Sequence, residues 1–499
     1  MKLKNKNIFL LIFCFVISFV LLMIASRSSF LYPFNNWNDA NAFFTMGKSL
    51  MNGKVIFKDI FEQKGPLLYL IYGIGYLISN KTFLGIFILE VISSTIFSYT
   101  ICKIINLYLD KKYTYFILPI FMMILCTSKA FSFGGSCEEF CLPFLGYSLY
   151  KLLVYSKERK IRYIDIYLVG FVSGLVFLMK YTLLGISFSF CVYVFISLLL
   201  NKEYKKTFLF PVVFLIGMLT PIIPWILYFL KNNALYDFIN SYILINAFSY
   251  GISNASIVSR IFNCFYFFIR NLYSSSIYAF VMFFMILIFF LNKSKIVLSE
   301  KIGTLCAMFF SVLFIYICGS YFYYYVFPIY IFLIFAFIGI FILIDKFLIK
   351  SDKNITIILG SIITILSIIS SYYLSPNAQF MNYKAEELPQ YQFAKIINES
   401  KNPTILNYGF LDMGFYTVTG VIPNTKYFEK LNFKYERYPE NVDSLNSYIE
   451  NKNVEYVIYV KVANQQFPMS DKLDANYDLI AEYNNKKIDN YSYYLYKLK

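Results

Sequence analysis

The sequence predicts a polytopic α-helical membrane protein with a small C-terminal α/β domain. Three observations predict it. Hydrophobic residues make up 59% of the 499 positions and charged residues only 15%, a balance that excludes an ordinary soluble globule and a disordered chain. Long, mainly apolar runs recur, as at 8–25 and 355–374, each near the roughly 20 residues that cross a hydrocarbon core. Between the runs, every second loop is basic, the pattern that orients membrane helices.

Eleven membrane helices are expected, at 8–26, 82–108, 113–129, 138–156, 162–180, 182–200, 207–230, 272–292, 301–318, 321–346 and 354–374. The first is expected to be a retained helix, since no small-residue cleavage site follows it. Lys2, Lys4 and Lys6 precede it, which places the N-terminus in the cytoplasm. The loops then expected inside carry Lys103, Lys111 and Lys112; Lys157, Arg159, Lys160 and Arg162; Lys202, Lys205 and Lys206; Lys293, Lys295 and Lys301; and Lys346, Lys350 and Lys353. The chain is thus expected in the plasma membrane, multi-pass, with loops 27–81 and 231–271 and everything after Leu374 outside.

The first outer loop contains the apolar run Pro66–Ile78, which is too short to span and is expected to lie at the interface or re-enter. Two domains follow, a transmembrane module over 1–374 and an extracytoplasmic α/β domain over 375–499. In the second, helices are expected at 392–399 and 442–451 and strands at 404–408, 454–460 and 491–499. A formal charge of +16 does not imply nucleic acid, because the lysines sit in short loops. Histidine is absent, which removes His-based metal sites, His general bases and Ser-His-Asp triads. Nine cysteines occur, most of them inside apolar runs, where a thiol behaves as a small hydrophobe.

The unusual residues gather on the expected outer side. Asp39, Asp59, Glu62 and Lys64 lie in the first loop, and Glu138 and Glu139 begin the fourth span. Lys129, Lys180, Arg260 and Arg270 supply cations. Ionisable groups packed beside a bilayer are costly and point to a site. A carboxylate can take the proton from an attacking hydroxyl, and lysine or arginine can hold a departing phosphate. The plainer reading stands beside this one: acids in an outer loop can simply be solvated. Cys137 and Cys141 flank two glutamates, but two thiols without histidine make a poor metal site. The run Tyr321–Tyr325 suits an interfacial belt better than a sugar platform.

Three stretches resemble the GT-C glycosyltransferases, in particular the bacterial branch akin to dolichyl-phosphate-mannose protein mannosyltransferases (glycosyltransferase family 39) and the lipid A aminoarabinose transferase. They are Trp37-Asn38-Asp39, the run from Gly53 through Lys58-Asp59-Ile60-Phe61-Glu62-Gln63-Lys64-Gly65-Pro66 to Leu67, and Glu138-Glu139-Phe140 with Leu142-Pro143. The resemblance implies an inverting hexosyltransferase. It would move a sugar from a polyprenyl-phosphate carrier to a wall polymer, glycolipid or protein at the outer membrane face. It implies Asp39 as the base and Lys64 as the contact to the lipid phosphate. Lys180 and Arg270 are further phosphate-binding candidates from their position on the expected outer side alone, with no family motif to match. Glu62, Glu138 and Glu139 would complete the catalytic acids. No cofactor is implied, the activity being metal-independent or weakly metal-assisted by a divalent cation; the partners are the lipid-linked donor, the acceptor and membrane lipids.

The sequence departs from relatives at Tyr321–Pro328, where many carry a His-Tyr pair and this chain has only Tyr and Phe. The phrase Phe410-Leu411-Asp412-Met413-Gly414-Phe415-Tyr416 resembles related Gram-positive proteins and carries no assigned chemistry. A polysaccharide polymerase or ligase, or a flippase, is the alternative. The first would be expected to rest on arginine and histidine, and the second on charges spread through the mid-membrane.

Overall fold

The computed structural model describes residues 2–248, 256–317, 319, 321–345, 353–462, 467–484 and 490–499. Lys346, Lys350, Cys318 and positions 249–255 of the second large loop lie outside the described residues. Along the chain run α1 (Lys2–Ala25), α2 (Asn38–Met51), α3 (Pro66–Ile78), α4 (Leu84–Ile105), α5 (Thr114–Thr127), α6 (Cys137–Glu158), α7 (Tyr163–Lys180), α8 (Gly185–Leu200) and α9 (Tyr204–Lys231). Two short helices, α10 (Leu235–Phe238) and α11 (Ile245–Phe248), precede α12 (Ile257–Ser275), α13 (Ile277–Leu291), α14 (Leu298–Tyr316), α15 (Ile334–Asp345) and α16 (Lys353–Leu374). The C-terminal part holds α17 (Pro389–Ile397), β1 (Ile405–Tyr408), α18 (Phe415–Thr419), α19 (Pro439–Glu450), β2 (Tyr456–Val462), α20 (Leu473–Asn476), β3 (Tyr477–Tyr483) and β4 (Tyr491–Leu498).

Every expected span contains a helix. Among the described residues, seven helical segments are long and apolar enough to cross a bilayer by themselves: 7–25, 84–105, 163–183, 204–231, 298–316, 323–345 and 355–374. Protein barely covers the apolar faces of α9 and α16, so those faces require hydrocarbon around them. The chain is a multi-pass membrane protein.

Two expectations are corrected. Loop 231–271 is largely helical among its described residues, because α12 fills its second half. This helix was hidden from a hydropathy reading because Arg260, Asn263, Arg270 and Asn271 on its other face alternate along the chain with the apolar stripe of Phe262, Tyr266, Ile269 and Tyr273. The span expected at 272–292 breaks at Ser276, whose hydroxyl accepts from Ala279 N–H and caps α13.

The chain divides into two compact units, each discontinuous in sequence. One comprises Met1–Ser26, Glu90–Trp225 and Gly251–Ala378; the other comprises Arg27–Leu89, Ile226–Tyr250 and Gln379–Lys499. In the first unit α14 packs on α8, α13 on α15, α16 on α5 and α6 on α7. In the second, α2 and α3 lie against each other, and Gly47 permits the approach: a Cβ there would stand 2.4 Å from Gly73 N. The same unit contains a four-stranded sheet in the order β1-β2-β4-β3, with β1 parallel to β2 and the other pairs antiparallel. Strands β1, β2 and β4 and helix α19 fall where the sequence places them. The sequence reading missed β3, whose outward residues Leu479 and Ile480 spoil the alternation. The core of this unit joins Phe61 of the first loop to Leu406, Tyr427, Leu445 and Val457 of the C-terminal region.

Candidate active site

The predicted site residues divide between the two units: Asp39, Glu62 and Lys64 in one, Glu138, Glu139, Lys180 and Arg270 in the other. Each set has its own geometry.

The Gly53–Leu67 loop alternates buried apolar anchors with charges. Ile56, Phe57, Ile60 and Phe61 are buried while Lys58 and Asp59 are exposed. Phe57 has a positive φ of 69°, an unusual conformation for a bulky side chain, and its ring is held among Tyr69, Phe229 and Phe238. Asp59 accepts from Val55 N–H at 2.8 Å and so caps a turn. Phe61 N–H bonds to Lys426 O at 3.0 Å, and the Phe61 ring packs on Tyr427. Gly65 and Pro66 then start α3, with proline at a position where a helix has no use for an N–H.

This architecture presents Glu62 and Lys64 together. Glu62 is buried; it accepts from Lys64 N–H at 2.9 Å and from the Tyr69 hydroxyl, which in turn accepts from Lys64 N–H at 2.8 Å. Burial and the Glu62 charge hold the Tyr69 hydroxyl well above its usual range, so it stays a donor. Lys64 Nζ stands 3.8 Å from Glu62 Oε1, too far for a hydrogen bond, and its side chain is partly exposed. The ammonium also lies 5.6 Å from the Phe43 ring centroid. Asp39 is half-buried in the first turn of α2, where the helix dipole favours a negative charge.

Near these groups lies a buried acid pair, Asp412 and Glu429, to which the sequence assigned no chemistry. The Glu429 carboxylate accepts from Asp412 N–H at 2.5 Å. Burial holds Glu429 well above the usual carboxylate range, reinforced by Asp412, Glu62 and Asp39. Lys48 is fully buried and is pushed down to about 7 by burial, against the pull of Asp412 and with a push from Lys81.

In the other unit, Ser136 caps α6 by accepting from Glu139 N–H at 3.0 Å, which puts Glu138 and Glu139 in the first turn. Glu138 is buried and pairs with Lys180, whose ammonium also lies 4.0 Å from the Tyr325 ring centroid. Glu139 Oε2 accepts from Gly135 N–H at 2.9 Å, and its carboxyl interacts with that of Glu90. Glu90 in turn accepts from the Ser26 hydroxyl at 2.9 and 3.0 Å. Glu139 also lines a cavity with room for about one water, bounded mostly by apolar side chains such as Leu22, Phe97 and Phe327. Arg270 is exposed on α12 and makes no ion pair among the described residues. Glu90 was legible in principle, as a lone carboxylate inside an apolar helix. Tyr69, Lys48 and Glu429 had no such signal, and Asp412 was marked only as part of the phrase 410–416.

The arrangement can therefore offer an acid as base, a partly exposed ammonium for an anion, and hydrogen bonds that hold Glu62 and the Lys64 backbone in place. Residues 63–228 match the sequence profile of the dolichyl-phosphate-mannose-protein mannosyltransferase family. That stretch takes in Lys64, Glu138, Glu139 and Lys180, and leaves Asp39, Glu62 and Arg270 outside it. The structure is similar to the crystal structure of ArnT from Cupriavidus metallidurans bound to undecaprenyl phosphate, with a TM-score of 0.60 at 11% identity, covering 99% of this chain and 98% of that one. The apo state of the same ArnT is similar with a TM-score of 0.60 at 10% identity over the same shares. The chain has the GT-C fold. No curated protein sequence matches it. The GT-C fold agrees with the expectation drawn from the first-loop motif, and it extends over the whole chain, well beyond the segments that suggested it.

Proposed function

We propose that this GT-C protein is an inverting glycosyltransferase that moves a sugar from a polyprenyl-phosphate carrier to a cell-envelope acceptor, a wall polymer, glycolipid or protein. One observation carries the reading. A fold shared end to end with a protein crystallised with undecaprenyl phosphate holds a partly exposed lysine, Lys64, in the same compact unit as Asp39 and Glu62. The family profile over 63–228 supports it.

In the proposed step Asp39 takes the proton from an acceptor hydroxyl, whose oxygen attacks the anomeric carbon. The bond from that carbon to the phosphate oxygen breaks, and the polyprenyl phosphate leaves with the electron pair. Lys64 faces the negative charge that grows on the phosphate; Glu62 orients Lys64 through the loop they share. General-base help of this kind contributes roughly 10²–10⁴-fold. The step balances without a cofactor. On this reading Glu138 and Lys180 act as a charge-compensated pair within their own unit. The N-terminus is cytoplasmic, the 375–499 domain is extracytoplasmic, and the donor enters from the bilayer.

The test compares a deletion strain complemented with wild type or with Asp39→Asn. Wall-polymer sugars and lipid-linked sugars are quantified by mass spectrometry. Asp39→Asn is expected to insert normally, abolish transfer and let the lipid-linked donor accumulate. Near wild-type transfer by the variant would sink the assignment.

A further inference from the structure

Helix α2 buries a polar face. Asn41, Thr45 and Lys48 are each fully buried, and their spacing of four and three residues puts them in one row. Buried polar side chains are costly unless satisfied, and one segment of the C-terminal region bonds to all three. Thr45 Oγ1 donates to Asp412 Oδ2 at 2.6 Å. Thr417 Oγ1 donates to Asn41 Oδ1 at 3.1 Å. Lys48 Nζ donates to Tyr416 O at 2.7 Å and to Val421 O at 2.5 Å.

The segment is built for this approach. Asp412 Oδ1 accepts from Gly414 N–H at 2.8 Å, which fixes its carboxylate. Gly414 has φ +91°, and a Cβ on it would stand 2.8 Å from Asn41 Oδ1 and 2.4 Å from Phe34 Cζ. Asn41 carries the contact onward. Its amide donates to Asn35 O at 2.9 Å and to Trp37 O at 2.8 Å, the backbone that leads into the turn bearing Asp39.

We propose that residues 412–421 are a positioning element for Asp39, fixing the rotation and axial position of α2 through Thr45, Asn41 and Lys48. This inference rests on Asp39 being the base. A one-residue slip of a helix moves it about 1.5 Å and turns it about 100°, which would strand all three polar side chains at once. Apolar packing alone tolerates small rotations, whereas directional bonds at three points do not. Misplacing a reacting group by about 1 Å can cost about 10²-fold in rate. The sequence phrase 410–416, without chemistry of its own, thereby acquires a role.

The test uses the full-length protein in lipid nanodiscs, with radiolabelled undecaprenyl-phosphate hexoses as donors and deletion-strain membranes as acceptor. Thr45→Val and Thr417→Val remove one hydroxyl each at nearly constant volume; Thr45→Ser and Thr417→Ser restore it. Each Val variant is expected to lose at least about tenfold in kcat measured well below its Tm, with donor KM within about twofold and a modest fall in Tm from the buried acceptor left without its donor, and each Ser variant is expected to recover most of the rate. Unchanged kcat in both Val variants overturns the inference. So does a loss of rate that tracks a loss of Tm and is not rescued by serine. Asp39→Asn is run alongside: if it is inactive while both Val variants are fully active, the base survives and the positioning role falls. A fully active Asp39→Asn overturns both.

Discussion

Replacing Lys64 by alanine tests the proposed phosphate contact apart from the rest of the first-loop site. The Glu62 carboxylate keeps two donors in the variant, Lys64 backbone N–H and the Tyr69 hydroxyl, so the loop does not depend on the ammonium. The ion pair that is lost is long, at 3.8 Å, and its lysine is partly exposed, so little stability goes with it. A hydrogen bond from an ammonium to a phosphate oxygen contributes roughly 1.5–3 kcal/mol, which converts to roughly 10–150-fold in affinity. The assay is equilibrium binding of radiolabelled undecaprenyl phosphate to nanodisc-embedded protein. Lys64→Ala is expected to weaken binding within that range, Lys64→Arg to keep most of it, and Asp39→Asn to bind as wild type does. A dissociation constant for Lys64→Ala within about threefold of wild type would refute the phosphate role, because even the low end of the estimate exceeds it.

Further outcomes follow from the same geometry. Lys180→Met should leave Glu138 buried and uncompensated at a cost of roughly 3–5 kcal/mol, seen as a lower Tm in detergent. The double variant Lys180→Met/Glu138→Met should regain most of it, and equal losses in both would contradict a compensating pair. Gly414→Ala should lower Tm by an amount equivalent to roughly 2–5 kcal/mol, adding left-handed backbone strain to the clash with Phe34; an unchanged Tm would show that the strand of chain at 412–416 yields easily. Lys48 titrates near 7 when folded and at its ordinary 10.5 when unfolded, so the unfolded chain binds the extra proton between those values. Its contribution makes stability rise with pH across that window, and Lys48→Met should flatten the rise in unfolding measurements. Asp412 and Glu429 are both raised by burial and act with the opposite slope, from their ordinary carboxylate values upward, so the flattening should appear only on the alkaline side.

Local pattern exposed much of the architecture. Apolar runs of bilayer length and the basic register of alternate loops showed where the helices are. The E-x-K-x-P run was legible because it gathers charges beside a bilayer and resembles a family motif. The α12 helix was illegible to hydropathy, since an amphipathic stripe averages to a polar loop. The site was legible only in the charged residues of its motifs. Lys64 and Asp39 stand out as charges beside a membrane, but nothing near Glu62 in sequence says that Tyr69 will hold it. Lys48 looks like any surface lysine on an amphipathic helix, although it is buried and bonded to carbonyls more than 360 positions away.

The sequence by itself determined the helices, the membrane class and the residue types available for chemistry, because those depend on runs and periods within a few turns of chain. Tertiary structure decided which polar groups are satisfied and by whom. It bonded Thr45 to Asp412, set Glu429 within the field of Asp39 and Glu62, and matched Glu138 to Lys180. The physical reason is that a buried polar group must find a partner wherever the fold supplies one, and chain separation sets no limit on where that is.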